Sequence, residues 1–209
     1  MAIYQRSVAV AYAQKWCDSF NPAYPSPSNF HGTDCTNFVS QCLCEGGWPQ
    51  TGGNFFSRGD NTKWFCGGYI GTGASYSWGA AENLRKFLTL SGRSMIANGI
   101  LATKPGDVLF FIDAAGVAGH ASLVTETYAN EVVVCQHSSP QNRDRKLGQW
   151  LMENLHLKSL PAGKNLDTLI RENLKQYPKL RVQAHSINDA IPQSAFNVPL
   201  PSPGPTPSN

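Results

Sequence analysis

Charged side chains are scarce in this sequence: they make up 15% of its 209 residues and leave a formal net charge of +3. No run of Lys or Arg occurs, so this weak and dispersed positive balance gives no footprint for nucleic acid, while an acidic polymer such as a cell wall stays open as a partner. No stretch approaches the roughly eighteen consecutive apolar residues of a membrane span, and Met1-Ala2-Ile3-Tyr4-Gln5-Arg6 lacks the apolar core of a signal peptide. The expectation is a chain without membrane insertion, cytoplasmic by default or released by a route that needs no such peptide. Cysteine is also sparse. Cys17, Cys35, Cys42, Cys44, Cys66 and Cys135 are too few for a disulfide scaffold in a chain of this size, so most are expected as free thiols. A zinc site drawn from Cys42, Cys44 and Cys66 is disfavoured, because Cys-x-Cys is not knuckle spacing and no second pair follows. No metal or organic cofactor is expected.

What is present begins with apolar residues, 41% of the chain, enough for one domain with a sizeable core plus appendages. The most informative stretch is Thr33-Asp34-Cys35-Thr36-Asn37-Phe38-Val39-Ser40-Gln41-Cys42-Leu43. From Cys35 the apolar positions Phe38, Val39, Cys42 and Leu43 recur at helical spacing, with Thr36, Asn37, Ser40 and Gln41 expected on the other side. Thr33 or Asp34 can cap the start of this helix, and Gly46-Gly47 can end it. Cys35 thus falls in the first turn, where free N–H groups and the helix dipole stabilise a thiolate. Such placement with a histidine partner can lower a cysteine pKa from about 8.5 to roughly 3.5–7.5. Asp34 would oppose this unless the helix amides engage its charge, and the expectation here is that it caps the helix.

Before that helix, residues 3–17 read as an amphipathic helix through Val8, Tyr12 and Trp16, followed by a loop containing Pro22, Pro25 and Pro27. Asn29 and His31 lie in this loop close enough to Cys35 to line a cleft. Between Gly46 and Gly79 the chain is rich in Gly and aromatic residues, which either wall the cleft or plug the loops onto the core. Trp78 is the candidate wall residue; it could equally pack with Leu84, Phe87 and Leu88 of a helix over 80–90. After the Lys104-Pro105-Gly106-Asp107 turn, residues 108–112 read as a central strand, and 120–128 and 131–137 as two more in an antiparallel sheet. Residues 147–157 form a last strand or short helix, 165–176 a helix stopped by Pro178, and 192–209 a disordered Pro-rich tail. The division expected is a domain over 1–160, an appendage of helix plus extended segment over 161–191 packed on or near it, and the tail.

A thiol nucleophile also needs a base and a group that orients it. His120, directly after Gly119 at the start of a strand, is the candidate base. Directly opposed residues of an antiparallel pair share a face, so an even-length loop around Ala129-Asn130 puts His137 beside His120 as the orienting group. An odd loop or a bulge would put Gln136 there instead, and Asn142 is a further candidate.

These segments resemble the bacterial family usually called the putative amidase domain. Its hallmarks are a Tyr-x-Arg-x-x-Ala-x-x-Tyr-Ala helix, here Tyr4, Arg6, Ala9, Tyr12 and Ala13, then Asp-Cys-Thr-Asn-Phe-Val-Ser-Gln at 34–41, then the histidine strand at Gly119-His120-Ala121. The resemblance covers about residues 1–155. It implies an α+β fold of the papain-like, NlpC and CHAP type, with Cys35 as nucleophile, His120 as base and a third member from the next strand. It also implies that an asparagine at the place of Asn29 stabilises an oxyanion, beside the Cys35 backbone amide. The substrate class implied is peptidoglycan stem peptide or another peptide, cleaved by a monomer through an acyl-thioenzyme. Two alternatives stand beside this: an acyltransferase or transglutaminase-type enzyme that resolves the thioester with an amine, and a non-catalytic cell-wall or glycan binder that stacks sugars on the aromatic segment.

Overall fold

The structure is a computed structural model that describes residues 2–24, 34–67, 73–137, 145–146 and 181–191. The expected elements at 147–157 and 165–176 and the tail over 192–209 lie outside the described residues. Within them the chain is α+β. Helix α1 (Arg6–Trp16) follows the short strand β1 (Ala2–Ile3), and α2 (Cys35–Glu45) starts at the cysteine. Further on come α3 (Tyr76–Gly79), α4 (Ala81–Leu90) and the strands β2 (Ser94–Ile96), β3 (Val108–Ile112), β4 (Ala118–Thr127), β5 (Val132–Cys135), β6 (Arg145–Lys146), β7 (Arg181–Ile187) and β8 (Ala190–Ile191). Among the described residues, β2-β7-β3-β4-β5-β6 form a six-stranded antiparallel sheet and β1 pairs with β8. No described helix is long and apolar enough to cross a membrane.

One layer of helices packs on one face of this sheet. Val108, Phe110, Ala121 and Leu123 meet Phe38, Val39, Leu43, Leu84 and Phe87 in a single core. Helix α2 ends as its glycines dictate: Gly47 sits at φ 100°, and a Cβ there would meet the Ile3 carbonyl oxygen at 2.9 Å. On α1 the buried face is Ala9, Tyr12 and Ala13, whereas Val8 is exposed. Small residues face inward because the chain is close there: a Cβ on Gly46 would lie 2.9 Å from that of Ala9.

The polar side of α2 differs from expectation, because every residue from Cys35 to Leu43 is buried. The aromatic segment packs over it and satisfies its polar groups. Trp78 Nε1 donates to Asn37 Oδ1 (2.8 Å), Ser40 Oγ donates to the Trp78 carbonyl (2.9 Å) and accepts from Trp64 Nε1 (3.1 Å), and Tyr12 donates to Gln41 Oε1 (2.6 Å). Trp48, Trp64 and Phe87 in turn surround the buried Arg93 guanidinium at 4.9, 5.8 and 5.2 Å, where burial pulls its pKa down to about 10.

Strand β7 extends the sheet into the C-terminal segment. Residues 181–187, which fall in the segment assigned from sequence to an appendage, run between β2 and β3, and 190–191 pair with β1, so part of that segment is integral to the sheets. Arg6 ties it to the start of the chain. Its guanidinium bonds Asp107 (2.7 Å), Asp189 (2.6 Å) and the Ile187 carbonyl, while Asp107, fully buried, accepts from the Ile187 amide at 2.9 Å. Together with the Tyr4 hydroxyl on the Gly106 carbonyl (2.9 Å), these contacts give the Tyr-x-Arg helix a structural reason to exist.

Candidate functional site

Helix α2 delivers Cys35 at its first turn, 2% exposed, against the start of β4. His120 stands on β4 one residue after Gly119, paired across the sheet with Phe111, whose ring centroid is 5.3 Å from its own. His120 Nε2 donates to Gln136 Oε1 at 2.7 Å, since an amide oxygen can only accept. That leaves Nδ1 for the thiol of Cys35, to which His120 is hydrogen-bonded. The order Cys35, His120, Gln136 therefore runs from helix start to sheet.

The electrostatics follow from these contacts. Burial by itself would push the Cys35 thiol up. The hydrogen bond and positive charge of His120 outweigh it, with help from the Thr36 hydroxyl, 3.6 Å from Sγ, and the Ala121 backbone N–H, and bring the thiol down to about 7. For His120 burial favours the neutral ring, but the bond to Cys35, the thiolate charge and Gln136 prevail and raise its pKa. The arrangement favours a thiolate–imidazolium pair.

His137 does not stand beside His120, which corrects the placement expected from sequence. The β4–β5 hairpin begins with Thr127 opposite Val132, as an even loop requires, but Thr125 is an extra residue that shifts the register to Val124 opposite Val134 and Leu123 opposite Cys135. This bulge exchanges the faces of all residues beyond it, so Gln136 joins His120 and His137 turns away. His137 Nδ1 bonds Asp34 Oδ2 instead, and its Nε2 lies 2.9 Å from the Trp16 carbonyl. Asp34 holds the position before α2 but makes no side-chain cap, because His137 and the Asn37 amide (2.7 Å) engage its two oxygens.

Trp78 does not wall a cleft: it is fully buried, stacked near Tyr24 and Trp64. Asn29, His31 and Asn142 lie outside the described residues. Thr36 and Ala121, which touch the thiol, were missed by sequence reasoning, although Thr36 follows the cysteine and Ala121 the histidine. Among the described residues no group of three or more His, Cys, Asp or Glu side chains is placed to hold a metal ion. A cavity of about 430 Å³ opens between α4 and the ends of β2, β3 and β7, lined by Arg85, Ile96, Ile112, Arg181 and Gln183. None of Cys35, His120 and Gln136 lines it.

Comparison with known proteins gives the family. No solved structure gives a significant match. The uncharacterized protein YhbB of Bacillus subtilis (strain 168) is 30% identical over 158 residues, which are 72% of this chain and 45% of YhbB, so the chain spans less than half the length of that relative. The family described as "Putative amidase domain" matches residues 3–157, well over half of the chain, and the chain belongs to that family, whose description points to hydrolysis of amide bonds.

Proposed function

We propose that the chain is a papain-like cysteine amidase that cleaves a peptide amide, with the stem peptide of peptidoglycan as the substrate class. The supporting observation is the line of Cys35 at a helix start, His120 on the adjoining sheet and Gln136 behind it, with the thiol pKa near 7. The thiolate attacks the carbonyl carbon, and the Cys35 backbone N–H, which as a first-turn amide has no acceptor within the helix, receives charge developing on the oxygen. His120 Nδ1 gives its proton to the leaving amine as the C–N bond breaks, which leaves an acyl-thioenzyme. The neutral imidazole then takes a proton from water. The hydroxide adds to the thioester, the C–S bond breaks, and a carboxylic acid leaves with the pair restored. Gln136 Oε1 holds the Nε2–H throughout and so keeps Nδ1 on the thiol.

The test is hydrolysis of isolated peptidoglycan and of short peptides, with products identified by mass. Cys35→Ala and His120→Ala should each abolish new amine ends, while Cys35→Ala keeps the melting temperature within a few degrees. Retained hydrolysis in Cys35→Ala would refute the nucleophile. Products that carry an added amine instead of a free acid would establish transfer in place of hydrolysis.

A further inference from the structure

A histidine–carboxylate pair, Asp34 with His137, adjoins the nucleophile, and the hydrolytic cycle gives it no task. Asp34, 7% exposed, is the residue before Cys35. Its backbone carbonyl accepts from Phe38 N–H (2.9 Å), Oδ1 accepts from the Asn37 amide (2.7 Å), and Oδ2 is bonded to His137 Nδ1. Asn37 is itself held by Trp78 Nε1 at 2.8 Å. His137, 3% exposed, lies with its ring 4.0 Å from that of Phe38 and nearly parallel, with the Phe20 ring edge-on at 5.4 Å, and its Nε2 is 2.9 Å from the Trp16 carbonyl.

Proton counting decides what this pair can be. A carbonyl oxygen cannot donate, so Nε2 must carry hydrogen. Nδ1 faces a carboxyl oxygen, so a further proton lies between them. The pair is imidazolium with carboxylate, or neutral imidazole with carboxylic acid. Its net charge is zero in both forms. A neutral imidazole beside a bare carboxylate would leave a lone pair pointing at the Trp16 carbonyl or at the carboxylate, and burying that mismatch is costly.

The geometry points to His137 as the counter-group of Asp34, which keeps a carboxylate one residue from Cys35 from opposing the thiolate while letting that same carboxylate pin the start of α2. This rests on the reading of Cys35 as the nucleophile. Among the described residues, Cys35 on α2 is the titratable group next to Asp34, and His120 on β4 lies beyond it, bonded to the thiol. On the side of α1 stand Lys15, over the Trp16 ring at 5.0 Å, and Asp18, both exposed to solvent. Only Asp34 is both buried and adjacent in sequence to the thiol, so it is the negative charge that most needs a partner. His137 is thus a positioning and charge-balancing residue, not one that touches the reacting atoms.

The experiment is the pH dependence of Cys35 alkylation by iodoacetamide in the full chain, read by peptide mapping. His137→Asn should raise the midpoint by about one pH unit, the effect expected of one uncompensated charge close to a thiol. Adding Asp34→Asn to that variant should return the midpoint to near the parent value. If His137→Asn does not fold, Asp34→Asn alone decides: the midpoint should stay put, because a neutral pair is replaced by a neutral pair. If Cys35 resists alkylation, the NMR shift of its Cβ carbon gives the same midpoint. An unchanged midpoint in a folded His137→Asn, a shift that persists in the double variant, or a lowered midpoint in Asp34→Asn overturns the inference. Alkylation reports the thiol and not amide cleavage, so loss of the proposed hydrolase reading, through an active Cys35→Ala, is a separate result.

Discussion

In the proposed mechanism the carboxamide of Gln136, 2.7 Å from His120 Nε2, sets which nitrogen meets the thiol, and that is a role mutation can test. Removing it in Gln136→Ala frees the ring to rotate or change tautomer, so kcat should fall by roughly 10–100-fold, a part of what general acid–base catalysis supplies, with KM little changed. Gln136→Glu keeps an acceptor at this place and should retain more activity than the alanine variant. Equal kcat in Gln136→Ala and the parent would remove this residue from the mechanism. The thiolate–imidazolium pair makes a second prediction. With the thiol at about 7, kcat/KM should fall as pH drops through that value and the thiolate is lost. It should fall again on the alkaline side when His120, raised above its ordinary range, gives up the proton needed by the leaving amine. An acid limb near the free thiol value of about 8.5 would show that the pair does not form. That Cys35 and His120 would meet was legible from the sequence because each sits beside a strong local signal, a helix start and a Gly-led strand. Gln136 was legible only as the outcome of a bulge, and nothing about Thr125, one β-branched residue in a β-branched run, announces that it is the extra one.

Among elements, β7 separates local from long-range information. Helices α1, α2 and α4 and strands β3, β4 and β5 follow from periodicity and from Gly and Pro at their ends, because each signal is contained in the element itself. Strand β7 reads Arg-Val-Gln-Ala-His-Ser-Ile, with few residues of high strand propensity, and it becomes a strand because β2 and β3 offer it two edges. Its place in the sheet makes it indispensable. A chain ended at residue 180 would leave the inner edge of β3 and the amide-accepting Asp107 without Ile187, His185 and Ala184, which the full chain buries. Such a truncation should lose the cooperative thermal transition and elute as aggregate, because an uncovered apolar edge strand pairs with other copies. A monomeric truncated chain with a sharp transition would show that 181–191 is dispensable. Arg6→Ala should act in the same direction. It strands buried Asp107 without its guanidinium, so a loss of about 3 kcal/mol in urea unfolding is expected, against under 1 kcal/mol for removing the more exposed Lys86 from Glu82.

At the scale of the molecule, the covalent link between Cys17 and Cys135 joins the end of α1 to the end of β5 across 118 residues of sequence, with Cα atoms 5.8 Å apart. The other four cysteines are free thiols. That most would be free was legible from their number, but which two would pair was not, since a pairing over such a separation is a property of the whole fold. The bridge sits where the site converges. Cys17 follows Trp16, which His137 holds, and Cys135 precedes Gln136 and His137, so the link fastens the base of both residues to α1. Two effects should then appear in Cys17→Ala/Cys135→Ala. Cross-linking across this length restricts the unfolded chain, so the variant should lose about 2–5 kcal/mol of stability in urea. Well below its melting temperature kcat should also fall, because a freed β5 end lets Gln136 drift from His120. If stability falls while kcat holds, the bridge acts on the unfolded chain alone. If kcat falls with no loss of stability, its task is to hold Gln136 in place.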